Sequence, residues 1–132
     1  MILQPRASVA ALAALIILQV VMLLALYAGV QPHPPATIPL FGIAPFLGAT
    51  LAITAAALII GPACGVPGRG LSLLAAATAL VSFGPQKYFD AQFPMIWPAV
   101  LAGQIAVVIV VYNALLAHSP KPPVREGVET HR

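Results

Sequence analysis

Charge is what this sequence has least of. Only 7% of its 132 residues are Asp, Glu, Lys or Arg, against about 25% in an ordinary soluble domain. Such a chain cannot solvate a water-exposed surface of normal composition. The basic residues, Arg6, Arg69, Lys87, Lys121, Arg125 and Arg132, are scattered rather than clustered. The net charge of +3 and isoelectric point near 9.5 therefore do not point to nucleic acid. Cysteine is nearly missing as well. A single residue, Cys64, excludes an intramolecular disulfide and a Cys-x-x-Cys redox site. The three histidines, His33, His118 and His131, are far apart in the sequence, and His33 stands alone among prolines with no evident co-ligand. No metal or cofactor site is expected.

What the chain has in quantity is apolar surface. Hydrophobic residues make up 61% of it and the mean hydropathy is +1.00, which predicts an all-α integral membrane protein. At about 20 residues per crossing there is room for roughly four spans and for no separate soluble domain. The spans are expected at about 7–29, 40–60, 68–84 and 95–117, forming one four-helix bundle over residues 1–118. The first apolar run, Ala7 to Val30, exceeds a signal-peptide core of about 7–15 residues and lacks a clear cleavage site, so it reads as an uncleaved span.

Proline and glycine mark the connections. Residues 30–39 contain Pro32, Pro34, Pro35 and Pro39, a stiff extended loop. Residues 61–70 contain Gly61, Gly65, Gly68, Gly70, Pro62 and Pro67, and no regular element is expected there. The third span is the shortest, because only Leu71 to Phe83 is continuously apolar. After it, Gly84-Pro85 breaks the helix, and Gln86 to Gln92 mixes polar and aromatic residues as a short interfacial helix or turn would. Tyr88, Phe89, Phe93 and Trp97 are the expected interfacial anchors. Residues 119–132 are polar and proline-rich and are expected to be a flexible tail.

Topology follows from the basic residues. With four spans, Arg6, Arg69, Lys121, Arg125 and Arg132 fall on one side and Lys87 alone on the other. The positive-inside rule then predicts a multi-pass protein with both termini and the tail in the cytoplasm, and the alanine-rich composition suggests a bacterial inner membrane.

Function is less accessible. Proton or ion coupling needs an ionisable group inside the membrane, and the interiors of the expected spans contain none, since Arg6, Arg69 and His118 sit at ends, where side chains can reach the headgroups. Lys87 and Asp90, three residues apart in the aromatic segment, suit an exposed ion pair better than a catalytic site, since Asp90 has no second carboxylate or base partner in view. No catalytic, cofactor-binding or metal-binding residue is identified, and an enzyme is not expected. The first functional reading is a non-catalytic accessory or assembly subunit of a larger inner-membrane complex, such as an energy-transducing one. Its partners would be the lipid bilayer and other membrane subunits or copies of itself, and no nucleic acid. The alternative is a small oligomeric transporter or permease component with a path lined by Gln19, Thr54, Thr78, Ser82, Gln104 and Asn113.

Small residues recur at four-residue spacing, as Ala10 and Ala14, Ala52 and Ala56, Ala75 and Ala79, Ala99 and Gly103, and Ala102 and Ala106. Such stripes permit close helix approach. If they close the bundle, Gln19 and Gln104 lie on the opposite faces, at similar depth, and either pair with each other or a partner span, or each bonds its own helix backbone or rotates into the bundle separately. Asn113 would point inward. These three are the helix-contact candidates.

Overall fold

The computed structural model describes the backbone of residues 3–30 and 40–116, which form α1 (Leu3–Ala28), α2 (Leu40–Ile60), α3 (Gly65–Phe83), a short 3₁₀ helix η1 (Pro85–Phe89) and α4 (Phe93–Leu116). All four α-helices are long and apolar enough to cross a membrane, consistent with a multi-pass membrane protein. The proline loop with His33, and the C-terminal segment with His118, Lys121, Arg125, Arg132 and the expected tail, lie outside the described residues.

Each helix packs on its neighbours in the chain, α1 also packs on α4, and α1 and α3 touch only slightly across the diagonal. This is an up-down-up-down bundle. Its centre is built from Leu12 and Leu15 of α1, Ala57 of α2, Ala75, Ala76 and Ala79 of α3, and Ala106, Val107 and Val110 of α4. Small side chains dominate because apolar burial gives no drive between helices in lipid, so attraction must come from close contact. Gly103 shows how close: a Cβ there would lie 2.7 Å from the Cβ of Phe83. The Phe83 ring thus fits against bare backbone.

Two boundaries differ from those predicted. α1 begins at Leu3, because Pro5 falls in its first turn, where no N–H is required. α3 begins at Gly65, so the glycine-rich stretch is half helical. Pro67 sits in the first turn, where it is harmless, and the true turn is limited to residues 61–64. There Cys64 N–H donates to the Gly61 carbonyl (3.0 Å) and Gly68 N–H to the Cys64 carbonyl (3.2 Å). A side chain at Gly68 would collide with the Gly61 carbonyl, so this glycine serves close approach rather than helix breaking. Cys64 itself is exposed.

The small-residue stripes divide. Ala75 and Ala79 are fully buried, whereas each pair on α4 splits, with Gly103 and Ala106 buried, Ala99 half-buried and Ala102 exposed. On α1 and α2, however, Ala10 and Ala52 are exposed and Ala14 and Ala56 only half-buried. The inward face of α1 is Ser8, Ala11, Leu12, Leu15 and Gln19. The expectation that Gln19 lies opposite the packing face is therefore corrected, because Leu12 and Leu15 with Ala11, rather than Ala10 and Ala14, form the seam.

Candidate functional site

The four charged side chains among the described residues lie at the two ends of the bundle. Arg6 in the first turn of α1 and Arg69 near the start of α3 share one end, and Arg69 Nε donates back to the Gly65 carbonyl (3.3 Å). Lys87 and Asp90 occupy the other end, 3.3 Å apart. Between the ends, hydroxyls are absorbed by their own helices. Thr50 donates to the Leu47 carbonyl, Thr54 to Thr50, Ser72 to Gly68, and Thr78 to Leu74 and Ala75. This back-bonding is how Ser and Thr satisfy themselves where water is scarce.

Amides close the Lys87 end. A helix leaves its last carbonyls without donors, and Pro85, just past α3, can supply none. Gln86 Nε2 takes up the Leu80 and Val81 carbonyls (2.8 and 2.9 Å), and Gln104 Nε2 reaches from α4 to the Phe83 carbonyl (3.1 Å). Tyr88 then donates its hydroxyl to Gln104 Oε1 (2.7 Å). η1 is thereby tied to α3 and α4. Asp90 completes the turn: its Oδ1 accepts from the Gln92 N–H (2.9 Å) and its carbonyl from the Phe93 N–H (2.9 Å), launching α4. The Gln92 N–H, helped by the Lys87 ammonium and opposed by slight desolvation, holds the Asp90 carboxyl below the usual aspartate range.

Of the expected anchors, Tyr88 and Phe93 pack edge to face with centroids 5.2 Å apart. Phe89 projects outward at 93% exposure and Trp97 is half exposed. They form a pair and two separate projections rather than one cluster. Of the helix-contact candidates, Gln104 bonds Tyr88 and Phe83, and Asn113 is half-buried beside Ala114. Gln19 is fully buried, and neither its Oε1 nor its Nε2 has a hydrogen-bond partner. The two glutamines share no bond. Sequence reasoning placed them at one depth but could not see that η1 folds back to claim Gln104.

Two surfaces lie around this framework. The first is a cleft of about 150 Å³ below the Lys87–Asp90 rim. Leu18, Val21, Met22 and Ala25 of α1 face Ile96, Ala99 and Val100 of α4 across it, and Phe83 and Ser82 close its side. The second is the outer face of α2. Exposed Gly42, Pro45, Gly48, Ala49 and Ala52 carry no large side chain. Past Ala52 the exposed residues of α2 are Ile59 and Ile60, and the other helices expose large side chains too: Ile17, Val21 and Leu24 on α1, Leu74 and Val81 on α3, and Ile105, Val108 and Leu115 on α4. Sequence spacing signalled the Ala52–Ala56 pair but not which way it faced. Among the described residues no three His, Cys, Asp or Glu side chains gather as metal ligands.

The chain matches no family model, no curated protein and no solved structure.

Proposed function

We propose that this protein is a non-catalytic accessory or assembly subunit of a larger membrane complex, and that α2 is the face it presents to a partner span. The observation that carries this reading is the outer surface of α2. From Gly42 to Ala52 its exposed positions are glycine, alanine and proline, and a Cβ added at Gly42 or Gly48 would meet nothing within 4 Å. Lipid-facing helices have no need of such a surface, whereas a neighbouring helix can approach it closely. The face occupies the first half of α2.

The alternative of a transport path is less well supported. Its candidate lining residues Thr54, Thr78 and Gln104 already bond backbone carbonyls or Tyr88. We place the protein in a bacterial inner membrane with both termini cytoplasmic. Arg6 and Arg69 at one end of the bundle support this orientation, as does the sequence after α4, which carries Lys121, Arg125 and Arg132.

Blue-native electrophoresis after mild detergent extraction at native expression tests the proposal. The wild-type chain should migrate with a larger complex, and Gly48→Leu with Ala52→Leu should release it as a folded small species. Migration of the wild type as a homo-oligomer would favour the transport alternative.

A further inference from the structure

We infer that the cleft between α1 and α4 binds one zwitterionic phospholipid, with a hydrocarbon chain in the cleft and the headgroup on Lys87 and Asp90. The shape of the cleft argues for a chain. Its α1 wall runs from Ala25 down to Leu18, about 10 Å along the helix at 1.5 Å per residue, and Ile96, Ala99 and Val100 of α4 form the facing wall, with Gln92 just ahead of that helix. A cavity near 150 Å³ accommodates about six carbons. Below the rim of Lys87, Asp90 and Gln92 the walls are aliphatic except for the Phe83 ring and Ser82. Entry is lateral, because Val21 both lines the cleft and is 58% exposed on the outer surface of α1. A lipid tail can slide in from the bilayer without crossing water.

The rim argues for the headgroup class. Lys87 and Asp90 both border the cleft, and their side chains are 29% and 19% exposed. An ammonium has three donors and Lys87 uses one of them on Asp90 Oδ2, leaving donors for a phosphate. Asp90 Oδ2 can in turn accept from a headgroup ammonium. A phosphate and an ammonium on one headgroup mirror this adjacent pair of opposite charges, whereas an anionic headgroup matches only Lys87 and is repelled by Asp90. The inference is independent of a partner at α2, which lies on a different helix from either wall.

Native mass spectrometry of the detergent-purified full-length chain, with phosphatidylethanolamine or phosphatidylglycerol of identical acyl chains, tests it. The wild type should retain one phosphatidylethanolamine per chain, about tenfold more strongly than phosphatidylglycerol, as one extra charge-assisted contact implies. Asp90→Asn should reduce that preference, Lys87→Gln should weaken retention of both lipids through the phosphate they share, and Ala25→Leu, which fills the cleft, should abolish retention of both. Should Ala25→Leu not fold, the two rim variants decide. Equal retention of the two lipids by the wild type, an unchanged preference in Asp90→Asn, undiminished retention by Lys87→Gln, or wild-type retention by folded Ala25→Leu would overturn the inference.

Discussion

Tyr88 donates its hydroxyl to Gln104 at 2.7 Å, and the same Gln104 amide donates to the Phe83 carbonyl at the end of α3. One side chain thus holds three segments together. Replacing Gln104 with Leu leaves both the Tyr88 hydroxyl and the Phe83 carbonyl without this partner, whereas Tyr88→Phe removes a single bond. Gln104→Leu should destabilise the bundle by about 1–3 kcal/mol and Tyr88→Phe by about 0.5–1.5 kcal/mol. In reversible unfolding in mixed micelles the double variant should cost less than the sum.

Gln19 should behave in the opposite way. Its amide is fully buried with neither polar atom bonded, and an unsatisfied buried amide costs about 1–3 kcal/mol. Gln19→Met, close in shape, should therefore raise stability in the same unfolding assay. A loss of more than about 1 kcal/mol would mean that the amide is satisfied in the membrane.

Gly103 tests the tightest contact. A Cβ at this position would press on the Phe83 side chain, so Gly103→Ala should destabilise by about 1–3 kcal/mol through overpacking. Phe83→Leu should relieve part of that cost, and the two effects should be less than additive.

The charged turn has a pH signature. Because the Gln92 N–H and Lys87 hold the Asp90 carboxyl below its ordinary value, the folded state binds its proton less readily than the unfolded chain. That contribution is complete above the unfolded value, about 3.9, and is lost as pH falls through the lower folded value. Wild type should melt above Asp90→Asn at neutral pH, and the gap should narrow as the pH is taken below about 4.

The four helices were legible because runs of about 20 apolar residues have no other stable backbone arrangement in lipid. η1 was legible as a short helix or turn because Gly84-Pro85 must end α3 and the residues after it are amphipathic. Which face of α1 turns inward was not legible. Its whole circumference is apolar, so there is no polar stripe to mark an outside, and four-residue alanine spacing recurs on both sides. Leu12 and Leu15 won the interior because the alanines of α3 and α4 leave room for them. The role of Gln104 depended on Tyr88 and Phe83, brought to it only by the fold. The cleft likewise joins residues from opposite ends of the sequence and has no local signature.

The proposal that α2 receives a partner span is tested most directly by site-specific photocrosslinking in intact membranes. A photoreactive residue at Ala49 or Ala52 samples the small-residue face, and one at Ile105 samples an exposed position of α4. The account predicts a discrete crosslinked product with a different membrane protein from Ala49 and Ala52 and lipid adducts alone from Ile105. Lipid adducts alone from all three positions, or a crosslinked product at Ile105 and none on α2, would contradict it.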